Sequence, residues 1–420
     1  MLRFVLDLLL VIISTVIVIK TYRDVISFKN ESLIAYVIFI TYIFNSLPIA
    51  FDIIWGYPDY IPLHSDFGKA ARNDTVSIIY DLSIIVAMLS FYLYSIKNIV
   101  KENRTEFKAN NRFYIIQLLL ILSPIIAYFT LVGGLNDLLY SSLIEREGEA
   151  NSLGLVTNLL YIGLFVFCIR IFGRKPTKLS LLWLLLYLLV LTVISGKRFI
   201  LAVILIAYFF SFINSKWEVK KRANFTVLIA LIGVMFMAFV VYYITSVKVM
   251  GDFSGYIYST LRVDFGREDV TKFVLMREIE GNPILDYRGQ TFLSLLLMAV
   301  PRAMWPTKPY GHYRYLTAAL TGDSPDSIPS GMTPSLYEMS IANFGYLGII
   351  VAIVVLLLIV KFGDRLANPN LKLIVLIVVI QLLTQNLDVS LFIFYVFLFL
   401  VITGKHWVMK KSPVNKNTKS

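Results

Sequence analysis

Apolar stretches long enough to cross a bilayer recur along this chain, and that repetition restricts its fold more than any motif does. A hydrocarbon core about 30 Å thick asks for roughly 20 apolar residues per helix. Lipid offers no partner to a backbone N–H or C=O, so such stretches must be helical. Of 420 residues, 58% are hydrophobic and 16% charged, and the mean hydropathy is +0.74. A soluble helical protein would need helix after helix that is apolar on every side. The chain is therefore read as an all-α polytopic integral membrane protein. The single cysteine, Cys168, excludes a disulfide framework and any Cys/His zinc spacing. The opening MLRFVLDLLL has no small-residue cleavage site and reads as a retained helix.

Eleven spans are expected, near 2–19, 32–50, 76–96, 113–132, 152–172, 179–195, 199–213, 224–245, 340–360, 371–385 and 389–403. Their connections alternate in charge. One set (20–31, 97–112, 170–178, 214–222, 361–372 and 405–420) carries 24 of the 39 Lys and Arg. The opposite short loops, 51–75 and 133–151, hold three basic and eight acidic residues. Short positive loops stay cytoplasmic, so the C-terminus is placed inside and the N-terminus outside. The net charge of +12 is then membrane anchoring, and nucleic acid is not implied.

This divides the chain into an N-terminal bundle (1–245, about eight helices), a large extracytoplasmic loop (246–339), C-terminal spans (340–404) and a basic cytoplasmic tail (405–420). The loop is charge-balanced, with nine Lys/Arg and ten Asp/Glu. Within it EDVTKFVLMREIE (268–280) has helical spacing at Val270, Phe273, Val274 and Arg277, and YRGQT reads as a turn. TFLSLLLMAV, about ten residues and roughly 15 Å as a helix, is too short to span and suits a re-entrant or interfacial helix ended by Pro301.

PRAMWPTKPYGHYR (301–314) follows, dense in cations and rings. Arg198, Arg267, Arg302, Lys308 and Arg314 all fall on the outer side. A guanidinium matches phosphate oxygens at two points, and lysine adds a compact charge. Each could equally snorkel to lipid phosphates or pair with a carboxylate. Trp305, Tyr310, Tyr313 and Tyr315 offer stacking faces for sugars, or simply an interfacial belt. The acid–base candidates are Glu338, His312, Asp264, Glu268 and Asp269. Plainer roles are a helix-start carboxylate for Glu338 and an exposed loop position for His312. The acidic EREGE at 145–149 reads as a solvated loop. No metal site, Walker motif, Asp-x-Asp, HExxH or GxSxG is found. Intramembrane acids are few: Asp7, Asp81 and Asp388.

Several stretches carry a resemblance: FNSLPIAFDIIWGYPDY from 44, SGKR at 195–198, RVDFGREDVTKF at 262–273, GQTFLSLLLMAVPRAMWPTKP and NFGYLG. Together with one large external loop before the last helices, they resemble the Wzy-type oligosaccharide repeat-unit polymerases of O-antigen and capsule synthesis. The resemblance implies joining of undecaprenyl-diphosphate-linked oligosaccharides at the outer face of the bacterial cytoplasmic membrane, without metal, nucleotide or other cofactor. A chain-length regulator would be a further partner. It implies that arginines in outer loops are functional, here Arg198, Arg267 and Arg302, with Lys308 beside them. Only one outer loop is long, where such proteins often have two.

On that basis Arg302 and Arg198 are assigned to the donor diphosphate, with Lys308 and Arg267 supporting. Arg314, Trp305 and Tyr310 complete substrate binding. Glu338 is the first choice of base and His312 the second. The competing readings are an O-antigen ligase-like lipid-linked glycan transferase, a transporter or flippase for a lipid-linked sugar, and a sensor or scaffold.

Overall fold

The computed structural model describes residues 2–27, 29–60, 65–100, 114–131, 266–297, 300, 302–328, 331, 332, 334–366 and 369–385, with isolated positions between 156 and 194, Tyr258 and Arg262. These residues are all-helical and contain no strand. Expected spans at 199–213, 224–245 and 389–403, most of 152–172 and 179–195, the 133–151 loop, Arg198, Asp264, Asp388 and the tail lie outside them.

Among the described residues, four helical stretches are long and apolar enough to cross a membrane: Leu2–Ile26, Ile34–Trp55, Asp74–Lys97 and Leu336–Arg365. We label α1 (Leu2–Ile26), α2 (Ile34–Thr41), α3 (Leu47–Trp55), α4 (Ser65–Arg72), α5 (Asp74–Lys97) and α6 (Tyr114–Leu131). Then follow α7 (Glu268–Ile279), α8 (Gln290–Leu296), α9 (His312–Thr321), α10 (Leu336–Phe344), α11 (Gly348–Arg365) and α12 (Pro369–Thr384). Outward faces are apolar. Leu82, Val86, Leu89 and Leu93 form an exposed stripe on α5 at helical spacing, as a lipid-facing helix requires.

The two ends of the bundle are tied differently. At one end the Asn30 amide donates to the Ser95 carbonyl (2.8 Å), Glu31 N–H to Val100 O (2.9 Å) and Leu33 N–H to the Asp364 carboxylate (2.9 Å). The last of these caps the start of α2 from the end of α11. At the other end Arg3 bonds Asp74 (3.1 Å) and the Tyr57 hydroxyl, joining the starts of α1 and α5 to the exit of α3. The spans therefore alternate in direction, as their short connections require.

A five-residue π-helical turn, Tyr42–Ser46, joins α2 to α3. Pro48 has no N–H to return to the Phe44 carbonyl one turn back. The backbone N–H of Arg267 takes that carbonyl instead, at 2.9 Å. Tyr80 caps the next one, its hydroxyl donating to Asn45 O at 3.1 Å. Phe44 lies near the middle of Ile34–Trp55, so the start of α7 enters the bundle at that depth.

α7 is buried on nearly all sides. Glu268, Asp269, Thr271 and Lys272 are as enclosed as Val270, Phe273 and Val274, although the periodicity predicted one buried face. Its neighbours are α4, through Phe67 stacked edge-on against Phe273 (5.7 Å), and α5 and α10. The expected single span at 340–360 is broken. Gly345 has φ +63°, and α11 starts afresh at Gly348. A Cβ on Gly348 would overlap the Ser340 carbonyl. An unbroken helix would hold those positions about 12 Å apart. The chain therefore folds back, leaving α10 enclosed and α11, 18 residues and about 27 Å, as the crossing helix.

Candidate functional site

The first candidate is the outward-facing group between 302 and 314. α8 is only seven residues, about 10 Å, and stops at Leu296 rather than at Pro301. Gly289, at φ +79°, makes its N-terminal turn, and the Asn343 side chain accepts from the Thr291 N–H at 3.1 Å. α8 leaves Leu293, Leu296 and Leu297 exposed, and Met304 follows them outward. The returning strand of loop is held by the Pro309 carbonyl, which accepts from Ser294 Oγ (2.9 Å) and Arg302 Nη2 (3.2 Å).

Two guanidinium groups meet one ring here. Arg302 lies 3.9 Å and Arg314 4.8 Å from the centroid of Tyr310. The ring's negative face offsets the repulsion between two like charges. Among the described residues neither arginine is in an ion pair. Arg314 Nε also donates to the Tyr313 hydroxyl (3.2 Å), and Lys308 Nζ to the Val300 carbonyl (3.0 Å). Trp305 donates to Thr307 Oγ1 at 3.0 Å. Arg302, Arg314 and Tyr310 are thus brought together, while Trp305 and Lys308 stand in the same loop on bonds to Thr307 and Val300.

The remaining assigned residues sit elsewhere. His312 is not an exposed loop residue: it opens α9 with 1% exposure, its Nδ1 3.3 Å from Thr291 Oγ1. Burial lowers its pKa to about 3, so the imidazole is neutral at pH 7 and a weak proton acceptor. Glu338 is fully enclosed at the third position of α10. It accepts from the Ser335 N–H and hydroxyl in a reciprocal capping box, and from Thr271 Oγ1 at 3.3 Å. Arg267 is buried, its Nη2 donating to the Thr384 carbonyl at the end of α12 (2.9 Å). That bond satisfies one of the carbonyls a helix C-terminus leaves open.

The second candidate is a buried ionic network that the sequence reading did not assemble. Arg262 grips Asp52 with two N–H groups, one at 2.9 Å. It also contacts Glu268 and lies 3.6 Å from Asp269. Tyr60 donates to Asp269 at 2.6 Å and Tyr258 to Asp52 at 2.8 Å. Lys272, 1% exposed, lies 5.1 Å over the Tyr80 ring, within electrostatic reach of Asp81, Asp269 and Asp7. Arg3, 3.8 Å from Asp7, closes the network toward α1.

Among the described residues no group of three or more His, Cys, Asp or Glu side chains is arranged to hold a metal ion. The missed residues are Asp52, Arg262 and Lys272; the sequence marks Asp7 and Asp81 only as intramembrane acids. Their sequence signal was charge inside or beside an apolar run, which is costly unless it faces a partner.

No protein-family model, curated protein or solved structure matches this chain.

Proposed function

We propose that this protein polymerises oligosaccharide repeat units carried on a lipid diphosphate, at the outer face of a bacterial cytoplasmic membrane. The observation that supports this most is the pair of unneutralised guanidinium groups over Tyr310, set directly beside the exposed apolar side chains of α8. A lipid diphosphate has the two matching halves, a chain for Leu293, Leu296 and Met304 and an anion for Arg302, Arg314 and Lys308. Leaving of the diphosphate from the anomeric carbon builds negative charge, which fixed cations stabilise in a poorly hydrated place. The donor glycan passes to a hydroxyl of an incoming lipid-linked unit, whose proton must be accepted nearby. Arg198, which lies outside the described residues, is assigned with Arg302 to the donor diphosphate. Arg267, buried against the Thr384 carbonyl, is given no contact with the Arg302 group in this reading, and a chain-length regulator is a further partner.

Replacing Arg302 with Ala is expected to lower chain extension roughly 100- to 1000-fold, as loss of one strong charge-stabilising contact does. Lys at this position, lacking the two-point fork, should recover little. The measurement is a gel of surface and lipid-linked glycans beside a membrane blot of the protein. A ladder collapsing to single repeat units supports polymerisation, whereas full-length chains stranded on the carrier lipid indicate a ligase. Normal chain lengths with Arg302→Ala remove the assignment. The buried network favours a second reading, a transporter of lipid-linked sugars. In that case deletion leaves single units on the cytoplasmic face.

A further inference from the structure

α11 carries an exposed apolar stripe, Ile350, Val354 and Leu358, which Leu347 continues back into the fold-back. These residues recur at helical spacing on one face, as a lipid-facing helix requires. The 18 residues of α11, about 27 Å, use nearly the whole hydrocarbon thickness. Gly348 therefore lies at the membrane boundary, and a segment bonded to its approach lies there too. The charge of the short loops places this boundary on the outer side.

α8 is bonded to that approach. The Asn343 carbonyl accepts from the Gly289 N–H (3.1 Å), its side-chain oxygen from the Thr291 N–H (3.1 Å), and the Phe292 and Phe344 rings stand 5.4 Å apart. Away from these ties α8 turns its leucines outward. Leu296 is 69% and Met304 78% exposed, at least as open as the lipid-facing Leu347 at 65%. Phe344 and Tyr346, in the fold-back itself, are exposed as well. An apolar patch this open, continuous with a lipid-facing stripe, fits lipid and not water. The nearby cations differ in their pairing. Arg288, packed beside Gly345, is neutralised by Glu278 at 2.7 Å and donates to the Ala342 carbonyl at 3.1 Å. Arg302 and Arg314 have no carboxylate among the described residues, and their forks complement a phosphate.

We propose that α8, Met304 and the Phe344–Leu347 fold-back form one surface seated in the outer leaflet, so that a phosphate-bearing lipid reaches Arg302 and Arg314 sideways without leaving the bilayer. The occupant of the surface is the leaflet itself, and the headgroup phosphate meets the two guanidinium groups at the leaflet's polar edge. No covalent bond changes. The inference holds for any lipid-borne phosphate and does not need the polymerase reading. Its failure is read from depth and lipid retention, whereas failure of the polymerase reading is read from glycan chain length.

Spin labels on the full chain test the seat, in nanodiscs of phosphatidylethanolamine and phosphatidylglycerol. Single cysteines replace Leu296, Met304, Leu358 or Asp323 in a Cys168→Ser background. Labels at 296 and 304 should collide with oxygen more than with a water-soluble nickel complex, as at 358 and unlike the exposed loop position 323. Labels at 296 and 304 that behave like 323 overturn the proposal, and this arm leaves every cation in place. Native mass spectrometry tests the phosphate. Wild-type chain should retain phosphatidylglycerol in preference to phosphatidylcholine. Replacing both Arg302 and Arg314 with Gln should weaken that preference roughly 30-fold, as loss of two basic side chains near an anionic surface does. An unchanged preference in the folded double variant overturns the proposal. So does displacement of the retained lipid by inorganic diphosphate, which would make the ligand a free anion from water.

Discussion

Arg262 shows how one side chain sets the cost of a buried site. It is 2% exposed and is shared by three carboxylates from two separate parts of the chain. Removing it leaves those acids enclosed without a counter-charge, which costs roughly 3–5 kcal/mol. Arg262→Met is expected to lower the thermal unfolding midpoint and the folded yield, measured by fluorescence-detected size exclusion after heating. His312 gives a pH signature with the opposite origin. An unfolded histidine takes a proton near pH 6.5, whereas burial holds this one at about 3. Stability is therefore intact above pH 6.5. It falls as pH drops from about 6.5 toward 3, by at most about 1.4 kcal/mol per pH unit. Unfolding midpoints between pH 7 and pH 4 should show the slope, and His312→Gln should flatten it. The sequence named Arg302, Lys308, Arg314, Trp305 and Tyr310 as one group because they are neighbours in the chain. It did not join Asp52 to Arg262, since that pairing spans 210 positions and leaves no local pattern.

At the scale of elements, lengths were legible wherever lipid imposed them. α5, α6 and α12 lie within about two residues of where apolar runs placed them, whereas α1 runs on to Ile26, past the expected end near 19. Breaks were harder to see. The Gly345–Gly348 fold-back is written in two glycines within an otherwise continuous apolar run, and hydropathy does not register backbone angles. Gly348→Ala is expected to separate α10 from α11, because its methyl would occupy the place of the Ser340 carbonyl. The measurement is amide exchange, which should rise across Leu336–Phe344 while α1 stays protected. α7 was recognised as a helix from Val270, Phe273, Val274 and Arg277, but its enclosure was not. A polar helix looks solvent-facing until the acids and bases that surround it are known.

For the whole molecule, the alternation of loop charge and the pairing of helix ends are consistent with each other. Asn30, Ser95 and Asp364 gather at one end, and Arg3, Tyr57 and Asp74 at the other. If basic loops mark the cytoplasm, a Cys introduced at Lys308 in a Cys168→Ser background should react with an impermeant maleimide on intact cells. A Cys at Asn98 should react only after the cells are opened. Reversed labelling would refute the orientation, and with it the outer-face chemistry.

The Phe44 carbonyl left open by Pro48 has a consequence for biogenesis. Its partner, the Arg267 amide, is translated more than 200 positions later. EDVTKFVLMREI is too polar to leave the translocon for lipid unaided. The early hairpin must then insert first and wait with an empty socket, and the late segment slides into a ready-made proteinaceous slot rather than into fat.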